Sequence, residues 1–419
     1  MSDLIHLKNA NSILTLESAF NKDGRNLNCD DLSVLKNCSI IASKNKIIYV
    51  GNDAEEIKQL APNVICEVDM SEYVITPEIV DSHTHLVFGG NRSSEYAMRL
   101  NGASYEEIAN SGGGINHTSK STNALSEEEL FNDAVKKIQK INSYGVGTIE
   151  IKSGYGLNVE KEIQLSKTID RLKKYFHPKI KIINTFMAAH AVPEVYDTSS
   201  EYIEKVCIPA LEEVSALGII DFVDIFHEKG YFDEKDVETL HQHCQRLNLK
   251  MRIHADEFVD NNGAVIASNL KFNSADHLLA ISENGIKALS KSATVATLLP
   301  GTGYFLGKPQ APARKMLDAG CKVAIASDFN PGSCHVDNLL LIANMSAPNY
   351  QMNQAELWSS ITLNPAHSLG LKNQGAIKPE LSPRFSYFKV KSIDEISYSW
   401  TSNFSQRVLE ADQFFHASP

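Results

Sequence analysis

Two histidines separated by one residue, His83 and His85, follow the apolar run at residues 74–80. In an extended strand, side chains two positions apart point the same way, so these imidazoles could hold one metal ion together. Because a catalytic zinc usually has about three protein ligands, other segments must contribute. His254 and Asp328 each come just after a candidate strand. Three neutral imidazoles and one carboxylate favour Zn²⁺ or Fe²⁺ over Mg²⁺ or Ca²⁺, which prefer oxygen ligands.

Such a site predicts hydrolytic chemistry. A bound metal ion lowers the pKa of water towards roughly 7 and so provides a nucleophile at neutral pH. Asp328 could accept the proton of that water, and Glu257, three residues after His254, could carry a proton beside the ion. The alternative for Glu257 is a solvated loop carboxylate, and Asp256 is more readily explained as a helix cap.

The elements that must position these residues alternate between apolar runs and helical stretches. The clearest helix is predicted from Ser126 to Gly145, where apolar residues recur at spacings of three and four. Eight parallel strands with intervening helices predict an α/β fold, a (β/α)₈ TIM-type barrel, with active residues at the carboxyl ends of the strands. The predicted strands are residues 74–80, 146–151, 180–186, 219–226, 250–253, 272–275, 293–298 and 323–326.

The two ends of the chain have a different character. Residues 12–68 contain short β-rich pieces with a turn at 44–46, and residues 385–390 return to a β pattern. We expect the ends to combine in a small β-sandwich domain, residues 1–77 plus 368–419, beside a barrel at residues 78–367.

The amino-acid composition restricts the kinds of binding partner that we expect. The chain has 40 Lys+Arg against 51 Asp+Glu, a net charge of −11, which argues against nucleic-acid binding because the phosphate backbone would be repelled. We find neither a signal peptide nor an apolar run long enough for a membrane span. Seven cysteines lack CxxC spacing, which favours free thiols in a reducing compartment. We therefore expect a cytoplasmic protein with a small-molecule substrate.

The candidate metal ligands and several longer motifs resemble those of the amidohydrolase superfamily and, within it, those of the imidazolonepropionase family. That family opens the cyclic amide of 4-imidazolone-5-propanoate to N-formimidoyl-L-glutamate in histidine degradation. The motifs lie between residues 81 and 333 and read DSHTHLVFGGNRSSEYAMRLNGASYEEIANSGGGI, IEIKSGYGL, AAHAVP, IHADEF, ADHL, LPGTGYFL and SDFNPGS.

The resemblance implies a role for each matching residue. One Zn²⁺ or Fe²⁺/Fe³⁺ per chain would be held by His83, His85, His254 and Asp328. Proton transfer and carbonyl polarisation would fall to Glu257, His277 and Asp328. Substrate contacts would come from Arg92, Tyr105, Tyr155, His190, Glu257, Asn330, Gly332 and Ser333. The resemblance also implies a homodimer.

The residues themselves fit this substrate. A propanoate tail needs a planar cationic partner, and a guanidinium such as that of Arg92 supplies bidentate donors.

The position of the lysine bears on the number of metal ions. Lys152 follows the second strand, whereas two-metal relatives carry a bridging lysine after the fourth strand, where this chain has His227-Glu228-Lys229. One metal ion is therefore expected, and His227 has no assigned role.

Two alternatives stay open. A hydantoinase-like or guanine deaminase-like enzyme would share the metal ligands. Only Arg92, Tyr155 and the turn at 330–333 would then distinguish these enzyme classes from the imidazolonepropionases. A non-catalytic amidohydrolase-like scaffold would typically lack some of the metal ligands, which this chain keeps.

Overall fold

A computed structural model describes residues 3–103, 107 and 113–400, together with the backbone of 405–410. Tyr105, predicted above as a substrate contact, lies outside the described residues.

A barrel of parallel strands forms the larger part of the described structure, as predicted. Eight strand positions follow one another in chain order, and the fifth is interrupted at Arg252. A bridge between Thr84 and Phe329 joins the first position to the last. The barrel strands are β6 (Ile79–Asp81), β7 (Val146–Lys152), β8 (Lys181–Ala189), β9 (Phe222–His227), β10 (Lys250–Met251) with β11 (Ile253–Ala255), β12 (Ser274–His277), β13 (Val295–Leu298) and β14 (Val323–Ile325).

The prediction of one strand over residues 74–80 is wrong, because the segment divides between two sheets. Residues up to Pro77 pair with strands from the chain ends, and β6 begins the barrel at Ile79. Pro77 has no N–H with which to continue a ladder. The buried carboxylate of Glu78, between the two strands, forms an ion pair with Arg384.

The second sheet has seven strands and draws on both ends of the chain, as predicted. The turn predicted at 44–46 joins two antiparallel strands, and the tail strand pairs with the strand at residues 74–77. These strands are β1 (Leu4–Leu14), β2 (Val34–Ala42), β3 (Ile47–Gly51), β4 (Val64–Asp69), β5 (Val74–Pro77), β15 (Arg384–Phe388) and β16 (Ser405–Glu410). We propose domain boundaries after residue 77 and before residue 368.

Helices follow most barrel strands and bury one face against them. The predicted helix spans Glu127–Ser143 and begins with a capping box between Ser126 and Glu129, in which two backbone amides are satisfied reciprocally. The α-helices are α1 (Glu17–Asn21), α2 (Ala54–Leu60), α3 (Ser93–Leu100), α4 (Ile115–Asn123), α5 (Glu127–Ser143), α6 (Val159–Phe176), α7 (Ser199–Tyr202), α8 (Ile208–Ala216), α9 (Glu234–Arg246), α10 (Gly263–Asn269), α11 (Glu283–Ser290), α12 (Pro300–Leu306), α13 (Ala313–Asp318), α14 (Leu339–Asn349), α15 (Gln354–Ile361), α16 (Leu363–Ser368) and α17 (Ile393–Tyr398). Among the helices of the described residues, none has both the length and the apolar character needed to cross a bilayer.

Candidate active site

Three histidines converge at the carboxyl ends of the barrel strands. Ligand atoms of His83, His85 and His254 all lie within 4.8 Å of one another, and the three side chains are buried. Nε2 of His85 is 3.3 Å from Nε2 of His254. Oδ1 of Asp328 lies 3.6 Å from Nε2 of His83 and 3.8 Å from Nε2 of His85. The structure thus brings the four predicted ligands together.

Two buried carboxylates orient the histidines from behind. Oδ2 of Asp276 is 2.7 Å from Nδ1 of His83, and Oδ1 of Asp224 is 3.2 Å from Nδ1 of His254. A carboxylate at Nδ1 fixes the tautomer whose Nε2 has a free lone pair, which is the arrangement found around metal-bound histidines. Nε2 of His83 is buried and has no hydrogen-bond partner among the described residues. These donors fit a single metal ion.

The carboxylates are in turn held by buried cations. Lys152 Nζ donates to Asp224 and Glu150 at 2.7 Å each, and Arg252 Nη2 donates to Asp276 at 3.0 Å. The lysine that the sequence places after the second strand thus supports the ligands from beneath. The sequence assigned no role to these residues, although Asp224 lies within a predicted strand and Asp276 directly follows one.

His83 and His85 are held neutral, the state that metal binding requires. Burial, reinforced by the nearby Lys152 ammonium, keeps the pKa of His83 well below its usual value. Burial does the same for the pKa of His85.

Asp328 occupies an unusual backbone position. Its φ is +51°, and His277, at the exit of β12, has a φ of +80°. Such conformations are costly for residues with a Cβ and tend to cluster at functional sites. Oδ2 of Asp328 accepts a hydrogen bond from Thr302 at 2.5 Å, a contact that the sequence did not reveal. Burial raises the pKa of Asp328 to about 6, against the effect of the Thr302 hydrogen bond.

A cavity of about 690 Å³ opens above the histidines, and it unites most of the predicted site residues. The predicted residues that line it are His85, Arg92, Tyr155, His190, His254, Glu257, His277, Asp328, Asn330, Gly332 and Ser333. Its volume is in the usual range for small-molecule sites.

Arg92 is held rigidly at the wall of this cavity. Its Nε and Nη2 atoms lie 2.8 and 2.7 Å from Oε2 of Glu95, a buried carboxylate on the first turn of α3. Its Nη1 faces Gly332, where a Cβ would overlap the guanidinium. One edge of the guanidinium is therefore fixed by Glu95, and Gly332 provides the space that Nη1 requires.

Tyr155 and His190 form a second wall. Their rings are 5.3 Å apart, and His190 also stacks on His85 at 4.8 Å. Nδ1 of His190 lies 3.0 Å from the carbonyl oxygen of Gly154. A carbonyl only accepts, so Nδ1 carries the proton and Nε2 is an acceptor. Burial lowers the pKa of His190 to about 3, which keeps the ring neutral.

Glu257 and His277 lie side by side, with Oε1 3.7 Å from Nδ1. Burial raises the pKa of Glu257 well above its usual value, and the Asp328 and Glu228 carboxylates add to the shift. A nearly buried carboxyl with a raised pKa can remain protonated near neutrality and act as a proton donor.

The side chain of Asn330 mainly stabilises the turn in which it lies. Its Oδ1 accepts from the amides of Gly332 and Ser333 at 2.8 and 2.7 Å, and its Nδ2 donates to the carbonyl oxygen of Asp328 at 2.7 Å. The side chain therefore shapes the wall that follows Asp328.

His227, which had no predicted role, lies with its ring nitrogens 3.0 and 3.2 Å from the carbonyl oxygens of Phe232 and Asn261.

Comparisons with known proteins show which family this chain belongs to. The profile of the amidohydrolase family matches residues 74–405. An imidazolonepropionase of Geobacillus sp. (strain WCH70) is 35% identical over 97% of this chain and 96% of its own length. An imidazolonepropionase of Agrobacterium fabrum is 38% identical over 88% of each chain.

Solved structures show the same fold at low identity. Atrazine chlorohydrolase from Arthrobacter aurescens TC1, complexed with zinc, superposes with a TM-score of 0.73 at 14% identity, over 98% of this chain and 94% of that one. Ochratoxinase from A. niger gives 0.71 at 12% identity, over 98% and 95%. The profile and the relatives that align over most of their length establish that the chain belongs to the amidohydrolase family and, within it, to the imidazolonepropionases.

Proposed function

We propose that this chain hydrolyses the cyclic amide of 4-imidazolone-5-propanoate to N-formimidoyl-L-glutamate. The observation that carries the proposal is that His85, His254 and Asp328 of the His₃Asp cluster line the same cavity as the rigidly held Arg92. The cluster suits attack of water on an amide carbonyl, and the guanidinium suits the propanoate tail of the substrate.

We propose one Zn²⁺ or iron ion (Fe²⁺ or Fe³⁺) per chain, with His83, His85, His254 and Asp328 as its ligands. Such a donor set suits either metal. When bound, the ion would lower the pKa of a water molecule and polarise the substrate carbonyl. Metal analysis of the purified protein would distinguish zinc from iron.

The side chains of the cavity walls would orient the substrate. Arg92 would bind the tail carboxylate with the donors that Glu95 leaves free. His190 would accept a hydrogen bond from a ring N–H through Nε2, because its Nδ1 proton is already donated to Gly154. Tyr155 would contact the ring from the same side, and Tyr105, Asn330, Gly332 and Ser333 complete the proposed contacts.

Three side chains would carry the reaction. Asp328 would accept a proton from the water that attacks the ring carbonyl carbon. His277 would donate a hydrogen bond to the oxygen of that carbonyl as negative charge develops on it. Glu257, protonated at the start, would transfer its proton to the ring nitrogen as the C–N bond breaks. The carbonyl carbon becomes the new carboxylate of the product.

The test is the loss of imidazolone absorbance with the purified holoenzyme, run beside a metal determination and the Arg92→Ala variant. Decay that yields N-formimidoyl-L-glutamate, that chelation abolishes and that Arg92→Ala weakens mainly through KM would support the proposal. No decay by a protein with one metal ion bound per chain would reject this substrate and direct the search to other cyclic amides. No decay and no bound metal would favour a non-catalytic scaffold.

We also propose a homodimer in the cytoplasm. The dimer is supported by the family resemblance and is testable by sedimentation equilibrium. The location is supported by the seven cysteines, all of which are free thiols, as expected in a reducing compartment.

A further inference from the structure

The loop that carries Tyr155 is pressed tightly against its surroundings. It joins β7 to α6 over residues 153–158, and its Gly154 has a φ of +114°. A Cβ at Gly154 would lie 2.8 Å from the carbonyl oxygen of Met187, and one at Gly156 would lie 2.6 Å from the backbone nitrogen of Glu162. These approaches leave room for glycine alone, so the loop path depends on close backbone contacts.

A single buried carboxylate accepts hydrogen bonds from three backbone amides of this loop. Glu162 is completely buried. Its Oε2 accepts from the amide of Gly154 at 3.0 Å, while its Oε1 accepts from the amides of Gly156 at 2.6 Å and Leu157 at 3.0 Å. Burial raises the pKa of Glu162, and the hydrogen bonds oppose that shift by stabilising the anion.

Glu162 is not needed as a cap for its own helix. The N-cap of α6 is Asn158, whose side chain accepts from the amide of Lys161 at 2.9 Å. The hydrogen bonds that Glu162 accepts from three loop amides and from the side chain of Ser153 reach out of the helix to the preceding loop instead. Its role is therefore to fix the loop.

Two cavity side chains depend on that loop. Tyr155 belongs to it, and His190 is oriented by the hydrogen bond from its Nδ1 to the carbonyl oxygen of Gly154. The amide of Gly154 is itself one of the three backbone donors to Glu162. The carboxylate thus controls the position of the tyrosine and, through the single residue Gly154, the orientation of the imidazole.

We propose that Glu162 is a positioning residue for substrate recognition, which acts through Tyr155 and His190 without touching substrate. This inference rests on the proposed function, because it takes these two side chains as substrate contacts. Replacement by glutamine tests it sharply. The side-chain oxygen of the glutamine can accept from the backbone N–H groups of Gly156 and Leu157. Its NH₂ group then points towards the backbone N–H of Gly154, so two donors would face each other.

The experiment compares kcat, KM and bound metal in wild-type holoenzyme, Glu162→Gln and a control, Asp236→Asn. Asp236 is also a buried carboxylate on the first turn of a helix, where it accepts from the amide of Asp233, and it does not line the cavity. We expect Glu162→Gln to raise KM about tenfold or more, as for loss of hydrogen bonds to a charged group, with its metal content and most of kcat retained. The control should keep the wild-type KM.

Each outcome decides the inference. A wild-type KM in active Glu162→Gln would overturn it while leaving the proposed function standing. Equal loss of kcat and metal in that variant would show general disruption and would also overturn it. Inactive wild-type holoenzyme would overturn the proposed function and this inference with it. If Glu162→Gln does not fold, Glu162→Asp gives the same comparison, because its shorter reach cannot meet all three amides: a raised KM supports the inference and an unchanged KM overturns it.

Discussion

Oδ2 of Asp276 lies 2.7 Å from Nδ1 of His83, and both side chains are completely buried. The carboxylate thereby directs Nε2 of His83 towards the other three proposed ligands. We expect Asp276→Asn to lower metal affinity about 10- to 100-fold, the usual effect of losing such a partner. Competition with a chromogenic chelator measures this without relying on turnover.

A matched control for this change is Glu78→Gln. Glu78 is equally buried and forms an ion pair with Arg384, but it precedes β6 at the opposite end of the barrel. Its replacement should lower the free energy of unfolding while leaving metal affinity intact. Equal metal affinity in Asp276→Asn and wild type would contradict the proposed orientation of His83.

Gly332→Ala should weaken substrate binding through Arg92. The added Cβ would overlap Nη1 of Arg92, and the Glu95 carboxylate prevents the guanidinium from simply moving away. We expect KM to rise about tenfold or more, since hydrogen bonds between charged groups are lost, with a smaller effect on kcat. In an Arg92→Ala background the same change should add little. Additive effects of the two substitutions would argue against this coupling.

Glu257→Gln should change the pH dependence of the reaction. A general acid must be protonated, so the wild-type rate should fall as pH rises through the raised pKa of Glu257. The glutamine variant should lose about 10²- to 10⁴-fold in kcat and should lack that alkaline fall. A nearly unchanged pH–rate profile would rule out Glu257 as the proton donor.

Glu228→Gln is the companion variant for this experiment. The Glu228 carboxylate contributes to the raised pKa of Glu257, so removing its charge should shift the alkaline fall to lower pH without abolishing it. A shift in the opposite direction would contradict the proposed electrostatic coupling.

His367 should make the folded protein sensitive to acid. It lies on α16, with Nδ1 3.8 Å from Asp23 Oδ1, and burial together with Lys322 lowers its pKa from 6.5 to about 4, although Asp23 opposes the shift. Between these pH values the unfolded chain binds a proton that the folded protein does not. The free energy of unfolding therefore falls as pH drops from 6.5 to about 4, by at most about 3 kcal/mol.

Urea unfolding of wild type and His367→Asn from pH 8 to pH 4 measures this contribution. The variant should lose less stability across the window, while the difference at pH 8, where histidine is neutral in both states, reports the substitution itself. Parallel stability curves for the two proteins would contradict the prediction.

The sequence alone was enough to predict the barrel and the set of proposed metal ligands. Periodicities of two and 3.6 residues are local properties, and a residue just after a strand must lie at the carboxyl end of the barrel. His83, His85, His254 and Asp328 could therefore be selected before any contact was known. The strand at 74–80 was predicted wrongly because its apolar pattern is continuous, whereas the change of sheet depends on which distant strands pair with each half.

Tertiary structure alone decided how these residues are held. Asp276 reaches His83 from 193 positions away along the chain, and Lys152 reaches Asp224 from 72. Contacts of this kind join different strands and leave no period in the sequence. Glu162 illustrates the same limit at short range: in the sequence it is an ordinary helix glutamate, and only the folded path of the loop aims three amides at its carboxylate.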